Sequence, residues 1–116
     1  MLSEEKRLKL LRKVKSNIDK AYQYSTGSVS LWFTHAPITQ KYVITLDSDK
    51  ARGVGIVTQM VMDEPDDQVD IDDLVYILNE IYDEFHFRLL AHAFNKKTLY
   101  YLREHVHAHI REDIAI

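Results

Sequence analysis

The chain has 116 residues, of which 46% are hydrophobic and 28% are charged, with three Gly, two Pro and a formal net charge of -3. This composition excludes a largely disordered chain, and the length fits a single domain over residues 1–116. The sequence contains no Cys, which excludes disulfides, thiolate nucleophiles and Cys-ligated zinc. Charges interrupt the first apolar residues too often for a signal peptide or a membrane span, so we expect a cytoplasmic protein.

The start of the chain predicts a helix with one apolar face. Ser3 can accept hydrogen bonds from the free amides of a first turn, and Glu4 and Glu5 suit the positive end of a helix. Apolar residues then recur every three or four positions, at Leu8, Leu11, Val14 and Ile18. Residues 25–27 are expected to end this helix.

Three segments of alternating character predict β-strands. The apolar positions of the first two strands are Val29, Leu31 and Phe33, and then Tyr42, Ile44 and Leu46. The third strand is expected to run from Val54 to Met62, after a polar turn that begins at Asp47 and closes at Gly53. The short connections favour an antiparallel meander, because parallel strands need a crossover of about a dozen residues.

A second helix is predicted after Asp70 or Asp72, either of which can cap it. Its apolar positions are spaced alternately by three and four residues, at Ile71, Leu74, Leu78, Ile81 and Phe85. Residues 87–94 satisfy both the helical and the strand period, so both remain open. Asn95 then caps a last predicted helix with Leu99, Leu102, Val106 and Ile110. The sequence therefore predicts an α+β domain, α-β-β-β-α-α, with its helices on one face of a three-stranded antiparallel sheet.

Charge is sorted along the chain. The first twenty residues hold seven bases and three acids, whereas residues 63–84, the acidic segment, hold ten acids and no base. Such polarity bears on how a protein meets its partners rather than on its fold. We interpret the acidic segment as a docking surface for a basic protein partner. Its predicted binding residues are Asp66, Asp67, Asp70, Asp73, Tyr76, Glu80 and Asp83.

The same polarity permits a homodimer, in which the basic helix of one copy meets the acidic helix of the other. Tyr100 and Tyr101, beside the apolar stripe of the last helix, would suit such an interface. The basic helix could instead follow a nucleic-acid backbone, with Lys6, Lys9, Arg12 and Lys13 as its contacts.

Histidines are the remaining residues whose grouping resembles a reactive site. On a helix, His105 and His109 lie four residues apart and could chelate zinc, whereas on a strand His105, His107 and His109 would line one face. The preceding leucine spacing favours a helix, but no HExxH motif and no third ligand are identifiable. We therefore predict no metal, no cofactor and no catalytic residue, and keep the histidine pair as an alternative.

Together these patterns predict a small non-enzymatic protein-binding module. It would be an inhibitor or regulator, of the kind that phages and other mobile elements encode, and would dock its acidic segment on a basic partner such as a nucleic-acid-handling protein. Nucleic-acid binding by the first helix and metal binding by histidines are the alternatives. We expect no membrane contact.

Overall fold

The computed structural model describes residues 1–22, 29–48, 56–64 and 67–113. Within these ranges the chain forms three helices and five strands, which confirms the α+β class. In chain order the elements are α1 (Glu4–Tyr22), β1 (Val29–His35), β2 (Tyr42–Ser48), β3 (Ile56–Met62), α2 (Ile71–Phe85), β4 (Arg88–His92), α3 (Lys96–His105) and β5 (Ile110–Asp113).

The strands form one mixed sheet in the order β3-β2-β1-β4-β5, with β1 at its centre. Strands β1, β2 and β3 make the antiparallel meander that was predicted. Strand β4 pairs with β1 and β5 pairs with β4, both in parallel. The prediction of a three-stranded, wholly antiparallel sheet is therefore wrong. Helices α2 and α3 supply the long crossovers that parallel pairing requires.

Strand β4 resolves the ambiguity of residues 87–94. Phe87, Leu89 and Ala91 are buried, whereas Arg88 and Leu90 between them point to the other side of the sheet. This alternation of period two is that of a strand, and pairing with the central strand selects it over the helical alternative.

Strand β5 replaces the end of the predicted last helix. Helix α3 stops at His105, and its C-cap Val106 has an extended backbone with φ -91° and ψ 134°. Val106, Ala108 and Ile110 are then buried in alternation, and Ile110 pairs with Leu89 of β4. The predicted helical positions Val106 and Ile110 are therefore the C-cap of α3 and the first residue of β5. Their spacing of four residues fits the strand period as well as the helical one.

One hydrophobic core lies between the helices and one face of the sheet. It contains the strand residues whose side chains face the helices, together with the apolar stripes of all three helices. Ile18 of α1, Ile77 of α2 and Leu102 of α3 represent these stripes. Helix α2 follows the predicted pattern most closely. Asp70 caps it by accepting the Asp73 amide at 3.1 Å, in a reciprocal capping box.

The predicted helix end at residues 25–27, the start of the third strand at Val54 and the end of the predicted turn at Gly53 lie outside the described residues. The prediction that this turn begins at Asp47 is wrong, because Asp47 lies in β2 and pairs with Ser30 of β1. Strand β3 is described from Ile56 onward. None of the helices in the described part of the chain has both the length and the apolar character needed to cross a lipid bilayer.

Candidate binding surface

Helices α1 and α2 bring the basic and acidic segments of the sequence side by side. Arg7 Nη2 lies 3.1 Å from Asp73 Oδ1, and Lys15 Nζ lies 3.4 Å from Glu84 Oε2. The two pairs sit near opposite ends of α2, so the helices run alongside each other with attracting charges between them. Charges that are far apart in the sequence are thus in contact within one fold.

Asp73 lies in the interior, with its side chain fully buried. Its carboxylate accepts the Leu2 amide at 3.1 and 3.2 Å, Arg7 Nε at 3.1 Å and the Asp70 amide at 3.0 Å. These donors satisfy a buried anion that would otherwise be costly. Asp73 was predicted to bind a partner, but the structure places it at the junction between the start of α1 and α2, away from the surface.

Asp67 and Asp70 are partly exposed, and each has a cation of the same chain beside it. Lys6 pairs with Asp67, and the Met1 ammonium lies 2.7 Å from Asp70. Burial acts to raise the pKa of Asp70, but hydrogen bonds from the Met1 ammonium and the Asp73 amide outweigh it and hold the pKa below its ordinary value. Both carboxylates are therefore engaged within the chain.

The remaining predicted residues of the acidic segment differ in accessibility. Tyr76 is half-buried, with the Arg7 guanidinium carbon 5.0 Å from its ring centroid. Glu80 is half-buried and Asp83 is exposed, with Asp83 Oδ1 3.4 Å from His107 Nδ1. Asp66 lies outside the described residues. The acidic surface left for a partner is thus smaller than the sequence predicts.

The predicted nucleic-acid residues lie on α1. Lys9, Arg12 and Lys13 are exposed, whereas Lys6 is half-buried and already paired with Asp67. The basic face therefore retains fewer available cations than the sequence count indicates.

The predicted histidine pair is not formed as a helical pair. His105 is the last residue of α3 and stacks on Tyr101, with ring centroids 4.1 Å apart and Nδ1 2.9 Å from the Tyr101 carbonyl oxygen. His109 lies in the connection between α3 and β5 and is exposed. In the part of the chain that the structure describes, no three His, Asp or Glu residues come together in a way that could hold a metal ion.

The two tyrosines proposed for a dimer interface have different surroundings. Tyr101 donates its hydroxyl to Asp72 of α2, and this hydrogen bond raises the pKa of Tyr101. Tyr100 is 66% exposed, and a hydrogen bond to Glu104 raises its pKa. Since the acidic and basic helices already pair within one chain, they offer little reason to pair again between copies.

The second face of the sheet has no helix of the described chain upon it. All three helices contribute to the core on the opposite face. We call this surface the uncovered sheet face, and define it by the strand residues whose side chains face away from the core. Those whose side chains the structure describes are Ser30, Trp32, Thr34, Val43, Thr45, Asp47, Gln59, Val61, Arg88, Leu90, His92 and Arg111.

Trp32 occupies the centre of this face, on the central strand. Its neighbours in register are Thr45 on β2 and Leu90 on β4, and the row continues outward to Gln59 on β3 and Arg111 on β5. Gln59 Nε2 donates a hydrogen bond to Thr45 Oγ1 at 3.2 Å, so these two side chains lie on the same face of the sheet. The row thus crosses all five strands.

Two polar atoms on this face have no hydrogen-bond partner among the described residues. Trp32 Nε1 and Asp47 Oδ1 are both shielded from solvent. They belong to residues that line a concavity of about 380 Å³ and a neighbouring one of about 250 Å³, and Arg88 and Arg111 line the smaller of the two. An unpaired buried donor or acceptor costs about 1–3 kcal/mol.

The sequence did not predict this surface, because the residues of β4 were left open between helix and strand and Ile110 of β5 was assigned to the last helix. Without these two strands, Arg88, Leu90 and Arg111 have no place on a sheet. The alternation of Trp32 with the buried Leu31 and Phe33 places the tryptophan on the side of the strand away from the core. That signal was available, but the apolar residues were interpreted for the core alone.

Comparisons with protein-family models, with curated proteins and with solved structures find no match to this chain.

Proposed function

We propose that this chain is a non-enzymatic protein-binding module that binds through the uncovered sheet face. The observation that carries the proposal is a continuous surface across five strands with a tryptophan at its centre and no described helix upon it. The sequence-based proposal of a protein-binding module is kept, and its binding surface is moved from the acidic segment to the sheet.

The composition of the face favours a protein partner. Trp and Arg, which are enriched at protein interfaces and at their energetic hot spots, are present. Of the residue types depleted there, Lys and Glu are absent from the defining residues of the face, while Asp and Ser occur once each. Val43, Leu90 and Val61 surround the centre with partly exposed apolar area, and Val61 is 48% exposed. An apolar centre with charged groups around it is the usual anatomy of a binding interface.

The unpaired polar atoms add a second line of support. Both atoms are shielded from solvent, but their residues are only partly buried. A rotation of either side chain would be needed to bring Trp32 Nε1 to an acceptor, or Asp47 Oδ1 to a donor, on a partner. Each hydrogen bond formed in this way would recover part of the cost of the unpaired group. Binding then improves the interactions of the face as well as burying its apolar area.

The face is less suited to nucleic acid. Phosphate binding requires an excess of cations along a track, whereas here Arg88 and Arg111 share the surface with Asp47, and the whole chain carries a formal net charge of -3. The acidic segment is the competing protein-binding surface, and Glu80 and Asp83 are its most available carboxylates.

Site-specific photo-cross-linking separates the two surfaces. A photoreactive amino acid is placed at Thr45, on the uncovered sheet face, or at Glu80, on α2, and each full-length protein is irradiated in a cell lysate. We expect a discrete protein adduct from the Thr45 position that Trp32→Ala abolishes. The Glu80 position serves as the matched control, with a comparable half-buried side chain. Adducts from Glu80 alone would contradict the proposal and restore the acidic segment as the binding surface.

A further inference from the structure

We infer that the protein partner of the uncovered sheet face is a second copy of this chain, arranged about a two-fold axis that runs parallel to β1. This inference rests on the proposed function, because it assigns the occupant of the same surface. It is carried by the distribution of charge across the five strands.

Acid and base lie on opposite sides of the central strand. Asp47 on β2 and Arg88 on β4 both stand opposite Ser30 of β1, one on each side of it. One row along, Gln59 on β3 and Arg111 on β5 occupy the two ends of the row centred on Trp32. Among the described side chains, the face therefore has a polarity across the strands in these two rows, with a carboxylate on the β2 side and guanidinium groups on the β4 and β5 side.

A two-fold axis parallel to β1 converts this polarity into complementarity. Rotation about this axis exchanges the β2 side of the face with the β4 side and leaves the direction of the strands unchanged. It therefore places Asp47 of one copy against Arg88 of the other, and Gln59 against Arg111. Trp32 meets its own symmetry mate at the centre, where aromatic pairs are favourable. A closed pair of this kind uses the same patch on both copies, as two-fold symmetry requires.

The other two-fold arrangement of two stacked sheets is less favourable. An axis perpendicular to the strands, through the row of Trp32, would bring Arg111 against its own symmetry mate. It would also place Asp47 against Val43 of the same strand, which leaves the carboxylate facing an apolar side chain. Like charges and unpaired carboxylates both disfavour an interface.

The small size of the face is typical of weak, transient interfaces. The five strands lie about 4.8 Å apart and are about 20 Å long, so the face has an area of roughly 500 Å² in each copy. The pair would bury roughly 1,000 Å² in total, which is at the lower limit for specific interfaces. We therefore expect a dissociation constant on the order of micromolar, so that the dimer forms at high concentration and separates on dilution.

Charge-reversal variants test the arrangement when they are mixed. Asp47→Arg alone sets arginine against Arg88 of the second copy, and Arg88→Asp alone sets aspartate against Asp47, so each variant is expected to weaken the dimer at least about tenfold. In a dimer that contains one copy of each variant, both contacts between positions 47 and 88 join opposite charges. Sedimentation velocity on the equimolar mixture should then recover dimer with an affinity within about threefold of the wild-type value.

Matched controls carry the same changes of charge on the helical side, as Lys9→Asp and Glu80→Arg, and should leave the dimer unchanged. Circular dichroism and thermal unfolding establish that each variant is folded, and mixing restores the dimer only if the loss arose at the interface. Wild-type protein that stays monomeric at about 1 mM, or folded variants whose mixture stays monomeric, would overturn the inference. A Thr45 photo-adduct with a different protein would then leave the proposed function standing with another partner.

Discussion

Asp73 shows how one residue can redirect the interpretation of a charged segment. In the sequence it is one acid among ten in residues 63–84. In the fold it is a buried anion that ties Leu2, Arg7 and the cap of α2 together. Nothing in the spacing of the acids separates Asp73 from its exposed neighbours, because its burial depends on where α1 packs. Its contribution is to stability, whereas Glu80 and Asp83 remain on the surface.

Replacing Asp73 should therefore destabilise the fold strongly. Asp73→Ala leaves the partly buried Arg7 guanidinium and the Leu2 amide without their acceptor, and we expect a loss of about 3–5 kcal/mol in the free energy of unfolding. Urea unfolding followed by circular dichroism measures the change. Glu84→Ala is the matched control, because it removes a carboxylate from a largely exposed pair with Lys15 and should cost less than about 0.5 kcal/mol. Equal effects of the two variants would show that burial does not distinguish these acids.

The helices and strands differ in how well the sequence predicts them. Helix α2 was predicted from the alternating spacing of its apolar residues and from Asp70, and both features depend on neighbours in the chain. Strands β4 and β5 depend on distant partners, since Leu89 and Ile110 are selected for the sheet by pairing with β1 and with each other. Their short apolar segments fit both periods, so local pattern could not decide. The uncovered sheet face was lost with them.

The connection between β4 and α3 offers a test of local backbone strain. Ala93 is exposed and has a φ of 60°, a region that favours glycine because the Cβ atom is disfavoured there. Ala93→Gly should therefore raise the free energy of unfolding by about 0.5–1 kcal/mol, despite the greater freedom that glycine has in the unfolded chain. Thermal unfolding of the two proteins measures the difference. A lower midpoint for Ala93→Gly would show that the methyl group contributes a contact that outweighs the strain.

At the scale of the whole molecule, the fold pairs the charges that the sequence separates and leaves one face of its sheet open. The basic and acidic segments are brought together along α1 and α2, so they contribute to the fold as well as to the surface. The helices and the sheet complete one core on one side. The opposite side carries Trp32, Asp47 and the arginines of β4 and β5, and this division between a packed side and an open side supports the proposed binding role.

Trp32 allows the most direct measurement, because it is the one tryptophan of the sequence and stands at the centre of the uncovered sheet face. Quenching of its fluorescence by acrylamide is measured as the protein concentration rises from about 1 µM to about 1 mM, across the expected dissociation constant. If the face binds a second copy, quenching should decrease with concentration in the wild type and stay constant in Asp47→Arg. Quenching that is the same at every concentration, and unchanged by any protein cross-linked at Thr45, would contradict the assignment of this face as the binding surface.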